Sequence, residues 1–284
     1  MTPDEKWLLE EKYSGIETPE YEADKKRLAS GEPLAYVIGW QPFLGLKIYL
    51  DSKPLIPRPE TEWWTEELVA VMKKVWPSVA KGPEDFLKDG NEFRFLDLCA
   101  GSGAIGCAAL AKLPDAQVYF GEIDPAFEAT ILKNIRENKL DLPTGRQATS
   151  RADVRIGDLF EPFATNFSCP YSDLEKWKYS CGGNMQFDII AANPPYVPAD
   201  RVLPPSVAEY EPAGALRAGE DGLDIIRRIA LDLPKHLKKD GQAWIECDRA
   251  HAAEARTLFQ EQGFSAEIRN DQYGKPRIIV VSFP

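Results

Sequence analysis

Asn193-Pro194-Pro195-Tyr196 places a side-chain amide, two rings without N–H groups and a phenol in four successive positions. Asn193 supplies a carbonyl acceptor. The prolines stiffen the turn and remove two donors, so the segment's backbone there can only accept. Tyr196 adds a flat ring. Rigid acceptors beside an aromatic face suit a planar group carrying an NH2, such as an amide or an exocyclic base amine. That nitrogen is a weak nucleophile because its lone pair is delocalised. Hydrogen bonds from its two protons can hold it and raise its electron density as attack begins. This is positioning plus electrostatic stabilisation.

A second constellation is Asp97-Leu98-Cys99-Ala100-Gly101-Ser102-Gly103-Ala104-Ile105-Gly106. Its glycines let a strand turn sharply into a helix and let a ligand approach the backbone beside a helix N-terminus. Gly101, Gly103 and Gly106 fit G-x-G-x-x-G, and Glu122 follows Gly101 by 21 residues. A carboxylate there can accept from two ribose hydroxyls. Taken alone, the pattern fits a dinucleotide and a nucleoside ligand equally well.

Both motifs need elements to hold them. From residue 93 onward strands and helices alternate. Strands are expected at Phe93–Leu98, Gln117–Gly121, Val154–Ile156, Phe187–Ala192, Gln242–Cys247 and Arg277–Phe283. Helices are expected at Ala104–Lys112, Pro125–Asn138, Gly222–Lys239 (with a kink at Pro234) and Ala250–Gln262. Strands apolar on both faces, alternating with helices, predict an open, doubly wound α/β domain with a parallel sheet. Upstream, residues 1–34 read as one or two polar helices, too poor in apolar surface for a core of their own. Residues 35–57 read as a hairpin or short strands, and 60–76 as a helix with the stripe Trp64, Leu68, Val71, Met72, Val75, ended by Pro77. Residues 1–57 are therefore expected as a helical segment and hairpin linker, and 58–284 as the catalytic domain. The polar stretches 141–152 and 164–186 interrupt the rhythm. The second carries Tyr171, Trp177 and Tyr179 beside Cys169 and Cys181. They read as surface excursions, with a partner-contacting loop as the alternative.

Composition excludes several classes. The chain has 284 residues, 44% hydrophobic and 28% charged, which suits a globular protein with one sizeable core. No apolar run approaches the roughly 18 residues of a membrane span. The first 33 residues carry nine acids and five bases and no apolar h-region, so no leader is expected and a cytoplasmic location is. The net charge of −11 opposes phosphate backbones, so direct nucleic-acid binding is not expected. Five cysteines without a Cys-x-x-Cys and only two histidines predict reduced thiols and no metal.

The motifs together resemble class I S-adenosylmethionine-dependent methyltransferases, which have a Rossmann-like fold and here act on planar NH2 nitrogens. The resemblance rests on Asp97 to Gly106, Glu122, Gly157-Asp158-Leu159-Phe160 and Asn193 to Tyr196. Three further stretches narrow it: Gly31 to Gly39, Leu55-Ile56-Pro57-Arg58-Pro59-Glu60-Thr61-Glu62, and Tyr210-Glu211-Pro212 with Gly219 to Leu223. These look like the HemK/PrmC protein-(glutamine-N5) methyltransferases, which modify the glutamine of the Gly-Gly-Gln motif in peptide chain release factors. The resemblance spans roughly residues 31–284. It implies that Cys99, Ala100, Gly101, Ser102 and Gly103 wrap the methionine part of S-adenosylmethionine, with Asp97 near its amino group. Glu122 would hold the ribose, and Asp158 and Leu159 would flank the adenine. Asn193, Pro194, Pro195 and Tyr196 would clasp the substrate amide, with Asn193, Pro194 and Tyr196 as the catalytic set and Asn193 also facing the cofactor. The family's Gly-Thr-Gly is here Cys99-Ala100-Gly101, and Glu122 stands where Asp is commoner. A release factor is the expected partner, and a monomer the expected state. The rivals are an adenine-N6 DNA methyltransferase, the ribosomal-protein branch of the same family, an NAD-dependent dehydrogenase and a non-catalytic binding module. Against the first stand the acidity and the lack of a target-reading domain; against the second, the resemblance of Ile56 to Glu62 to the release-factor branch. Against the dehydrogenase stands the lack of an evident hydride-site His or Tyr–Lys pair.

Overall fold

The computed structural model describes residues 1–75, 93–140, 150–164 and 183–284. Pro77, Tyr171, Trp177, Tyr179, Cys169, Cys181 and most of the two polar stretches lie outside the described residues.

The chain opens with α1 (Pro3–Tyr13), α2 (Pro19–Ala29) and α3 (Leu34–Ile38). Local chemistry starts the first two. Thr2 and Glu5 form a reciprocal capping box before α1, Thr18 caps α2, and each helix has proline in its first turn. Leu8, Tyr21, Val37 and Ile38 bury a small core between the three helices. Two of these four, Val37 and Ile38, come from α3, inside the stretch expected to be extended. The hairpin itself is β1 (Trp40–Phe43) and β2 (Leu46–Tyr49). Phe43, Ile48 and Leu50 pack in the same core as α4 (Pro59–Val75), whose Trp64, Leu68 and Met72 are buried.

Among the described residues the central sheet has seven strands in the order β5-β4-β3-β6-β7-β9-β8. They are β3 (Phe93–Leu98), β4 (Ala116–Glu122), β5 (Ala152–Ile156), β6 (Phe187–Ala192), β7 (Leu237–Glu246), β8 (Ser265–Asn270) and β9 (Pro276–Ser282). β5, β4, β3, β6 and β7 pair in parallel, while β9 pairs antiparallel with both β7 and β8. The sheet is thus mostly parallel, as expected, with one opposed strand near its edge. Alternate residues separate two cores. Phe95, Ile189 and Ala191 face the hairpin, α4, α5 (Ala104–Lys112) and α6 (Glu128–Glu137). Leu96, Leu98, Ile190 and Ala192 face the other way. After the one-turn α7 (Pro205–Ala208), α8 (Asp224–His236) and α9 (Ala252–Glu261) cover that second face.

Some boundaries and one strand differ from expectation. Residues 237–239 extend β7 rather than the preceding helix, because Leu237 pairs with Phe187 across the sheet. Pro125 heads a 3-10 turn, Pro125–Phe127, before α6. β8 was not expected: it is a polar edge strand with no fully buried residue, so its sequence shows little hydrophobic contrast. Among the described residues no helix is long and apolar enough to cross a membrane.

Candidate active site

Register brings the two motifs to one level. Leu98 of β3 pairs with Gly121 of β4 and Ala192 of β6, and Glu122 pairs with Ile156 of β5. The residues that follow, Cys99, Asn193 and Gly157, therefore leave the sheet side by side with Glu122 at its carboxyl edge. Chain order reverses between β3 and β6, and such a reversal opens a crevice where ligands bind in open α/β sheets.

A cavity of about 330 Å³ lies there. The glycine-rich turn contributes Cys99, Ala100, Gly101 and Ser102; the ends of β4 to β6 add Glu122, Asp158, Leu159, Asn193 and Pro195. Of the expected site residues, Asp97, Gly103, Pro194 and Tyr196 do not line it. Asp97 is fully buried beneath the turn. Its Oδ2 accepts from Gly106 N–H at 2.8 Å in the first turn of α5, and its Oδ1 is buried with no partner among the described residues. Burial pushes the Asp97 carboxyl well above the usual range; the Gly106 N–H pulls against this and the Glu122 charge adds to it. Gly106 itself is dictated by packing, since a methyl group there would enter the Phe120 ring. Gly103 ends the turn with φ 75 and leads into α5.

Glu122 is held by backbone. Its Oε2 accepts from Gly101 N–H at 2.7 Å, and its Oε1 accepts from Ile123 and Asp124 N–H, both at 2.9 Å. A carboxylate offers about four lone-pair sites, so these bonds leave room for about one further donor, on Oε2. Burial raises its pKa, and the three N–H groups hold the rise back. Asp158 pairs with Arg228 of α8 at 2.6 Å, and both line the cavity. Burial also raises the Cys99 thiol, with Glu122 and Asp97 adding to the effect, so at neutral pH Cys99 is a thiol and not a thiolate.

Behind Asn193 lies a network that sequence reasoning missed. Asn193 Nδ2 donates to Thr61 Oγ1 at 3.2 Å. Thr61 Oγ1 and Trp64 Nε1 each donate to Glu246 Oε2 at 2.7 Å, and Tyr196 OH donates to Glu246 Oε1 at 3.0 Å. Glu246 is 1% exposed. Burial raises its pKa while Trp64, Thr61, the Arg277 charge and Tyr196 act in the opposite direction. Burial and Glu246 push the Tyr196 phenol well up. Glu246 ends an apolar strand at the carboxyl edge, which is the signal that singled out Glu122. Thr61 stands inside the 55–62 stretch, where only resemblance drew attention to it. Arg58 of that stretch pairs with buried Glu211, which also accepts from Ile56 N–H at 3.2 Å, bringing Leu55, Pro57, Thr61 and Pro212 over the cavity. Among the described residues no group of three or more His, Cys, Asp or Glu side chains could hold a metal ion.

No family model matches the chain. Among curated proteins, the release factor glutamine methyltransferase of Thermodesulfovibrio yellowstonii is 32% identical over 260 residues, covering 90% of this chain and 78% of that protein. The release factor glutamine methyltransferase of Geobacter sulfurreducens is 32% identical over 240 residues, covering 84% and 68%. Among solved structures, a methyltransferase from Pyrococcus furiosus superposes with a TM-score of 0.51 at 14% identity, covering 93% of this chain and all of that one. That likeness supports the class I methyltransferase fold.

Proposed function

The chain belongs to the release factor glutamine methyltransferase family, and from that premise we propose that its cavity holds S-adenosylmethionine beside a clasp for one glutamine side chain. The enzyme transfers a methyl group from S-adenosylmethionine to the side-chain amide nitrogen of the glutamine in the Gly-Gly-Gln motif of peptide chain release factors. The observation that carries the site assignment is that Asn193 and the glycine-rich turn line one cavity.

The residues present fit the cofactor. Cys99, Ala100, Gly101, Ser102 and Gly103 would enclose its methionine end, and the buried, unpartnered Oδ1 of Asp97 supports placing the ammonium group there. Glu122 would take one ribose hydroxyl on Oε2, the other bonds of its carboxylate being already made. Asp158 and Leu159 would flank the adenine, with Arg228 steadying Asp158. The bound cofactor supplies a methyl carbon made electrophilic by a sulfonium. Asn193 and the backbone of Pro194 and Pro195 would accept from the substrate NH2, and the Tyr196 ring would set the plane of the amide. These contacts would hold the nitrogen in line with that carbon, and the proton the nitrogen gives up on transfer would leave to water. Positioning by residues fixed before the reaction supplies the acceleration.

Residues 1–57 would dock the release factor, residues 58–284 would form the catalytic domain, and the protein would act as a monomer in the cytoplasm. The acidic charge of −11 supports a protein substrate over a nucleic acid. The test is labelled methyl donor with release factor, duplex DNA and ribosomal protein in separate reactions. Label should enter the release factor alone and be absent when its motif glutamine is alanine. Label confined to DNA would overturn the reading. Asn193→Ala should lower kcat by about 10²-fold to 10³-fold, the loss typical of one transition-state contact, while calorimetry still shows cofactor binding.

A further inference from the structure

The network behind the clasp decides which end of the Asn193 amide faces the substrate, an inference that rests on the methyl-transfer reading above. The indole N–H of Trp64 can only donate, so the Glu246 oxygen 2.7 Å away must accept. Thr61 Oγ1 lies at the same distance from that oxygen. Glu246 as a carboxylate is acceptor-only, so the single hydroxyl proton of Thr61 goes to it, and Thr61 has only lone pairs left for Asn193. The Asn193 atom 3.2 Å from Thr61 must then be the NH2 nitrogen. Its carbonyl oxygen, on the other side of Cγ, is left for the cavity that Asn193 lines.

The distinction matters because the two ends of an asparagine amide have nearly the same shape and opposite hydrogen-bonding character. A half-turn of the side chain would point a donor at the donor hydrogens of the incoming glutamine. Packing alone does not prevent that turn; hydrogen-bond polarity does. Glu246 also accepts the Tyr196 hydroxyl, so one carboxylate fixes both ends of the Asn193–Tyr196 turn.

We propose that Thr61 and Glu246 are positioning residues that hold the Asn193 carbonyl toward the substrate amide and the Tyr196 ring beside it. Trp64 sets the direction of the chain of bonds, from indole and hydroxyl to carboxylate and from amide to hydroxyl. Neither Thr61 nor Glu246 has to exchange a proton during turnover.

The proposal separates variants of similar shape. Thr61→Val keeps the volume and removes the acceptor, so kcat should fall about tenfold to hundredfold from misplacement alone, with cofactor affinity from calorimetry unchanged. Thr61→Ser keeps the hydroxyl and should restore turnover. In Glu246→Gln the Trp64 N–H draws the amide oxygen to its side. Thr61 still donates to that oxygen and the Asn193 orientation survives, while the amide NH2 turns a donor toward the Tyr196 hydroxyl, so turnover should fall less than in Thr61→Val. Wild-type turnover with Thr61→Val would overturn the proposal, as would a Thr61→Ser variant as poor as Thr61→Val. So would a Glu246→Gln loss as large as that of Asn193→Ala, which would mean that the carboxylate moves a proton. Should Thr61→Val lose its circular dichroism, Thr61→Ala, which removes the same acceptor without adding a methyl group, decides by the same criterion. A wild-type enzyme that fails to label release factor would refute the methyl-transfer reading instead, so the two failures are distinguishable.

Discussion

Cys99 sits at φ 60 and Leu159 at φ 49, both in the left-handed region and both against the cavity. A side chain with a Cβ enters that region at a cost of about 1–2 kcal/mol. At Cys99 the turn imposes it: the β3–β4 pairing runs on to Ala100 N–H, which donates to Gly121 O at 3.1 Å, and Gly101 and Gly103 continue at φ 55 and 75. Cys99 thus adopts a backbone that a glycine would take without strain. Cys99→Gly should relieve the strain and lose a similar amount to unfolded-chain freedom, about 0.5–1 kcal/mol. Its melting temperature and cofactor affinity should stay close to wild type. Cys99→Val, with branching at the strained position, should lower both, as calorimetry and thermal melts would show. Equal damage from the two variants would mean that the thiol itself matters. The turn was legible in the sequence because its demands are local: a strand, small residues, then a helix. The link between Thr61 and Glu246 was not, because it joins positions 185 residues apart, and the strand-end signal of Glu246 does not name its partner.

Elements of the sheet centre were legible for the same reason and its margins were not. β3, β4 and β6 are buried on both faces and appear as mostly apolar runs with one or two polar residues each. β8 carries Glu267 and Arg269 on an exposed edge, and the Leu237–Lys239 stretch is strand only because Phe187 waits across the sheet. Less visible still is the support of the 193–196 turn by the segment before α8. Gly222 has φ 76, and a Cβ there would strike the carbonyl oxygen of Tyr196 and the Pro198 ring. Only a residue without a Cβ lets that segment pass so close. Gly222→Ala should cost about 1–3 kcal/mol of stability, the usual range for a displaced strained backbone. It should lower kcat with release factor more than it weakens cofactor binding, because the glycine-rich turn is anchored separately through Asp97 and Glu122. Chemical denaturation and a kcat against Kd comparison would check both parts. Cofactor binding lost in step with kcat would show that the two turns move together.

For the whole molecule the question is how the helical segment is fixed to the sheet domain. The hairpin is tied down by amides: Asn134 accepts from Tyr49 N–H at 2.6 Å and donates to both Tyr49 O and Ser102 O, linking β2 to the glycine-rich turn. The helices are held by Ala35 and Tyr36 of α3, which pack in the core beside the hairpin, and by a cluster of charges. Arg27 makes a two-pronged pair with Glu32 at 2.8 and 2.9 Å while also reaching Asp24 at 2.7 Å, and Lys53, beyond the hairpin, reaches Glu32 at 3.0 Å. Little of this was legible, since residues 1–34 show only a mixture of charges until α3 supplies the core that orders them. The pair with Arg27, assisted by Lys53 and opposed by burial, lowers the Glu32 pKa from 4.5 to about 2. A lowered folded-state pKa contributes stability above the unfolded value and loses it as pH falls through the folded one. Glu32→Gln should therefore melt below wild type at neutral pH, and the gap should close between pH 4.5 and about 2, where wild-type Glu32 also becomes neutral. Arg27 and Lys53 are 39% and 50% exposed, so salt should narrow the gap at neutral pH as well. Hydrogen exchange should place the loss in α1 and α2, with the sheet amides unaffected. A gap that ignores pH would mean that Glu32 acts by its shape, and that packing rather than charge holds the helical segment in place.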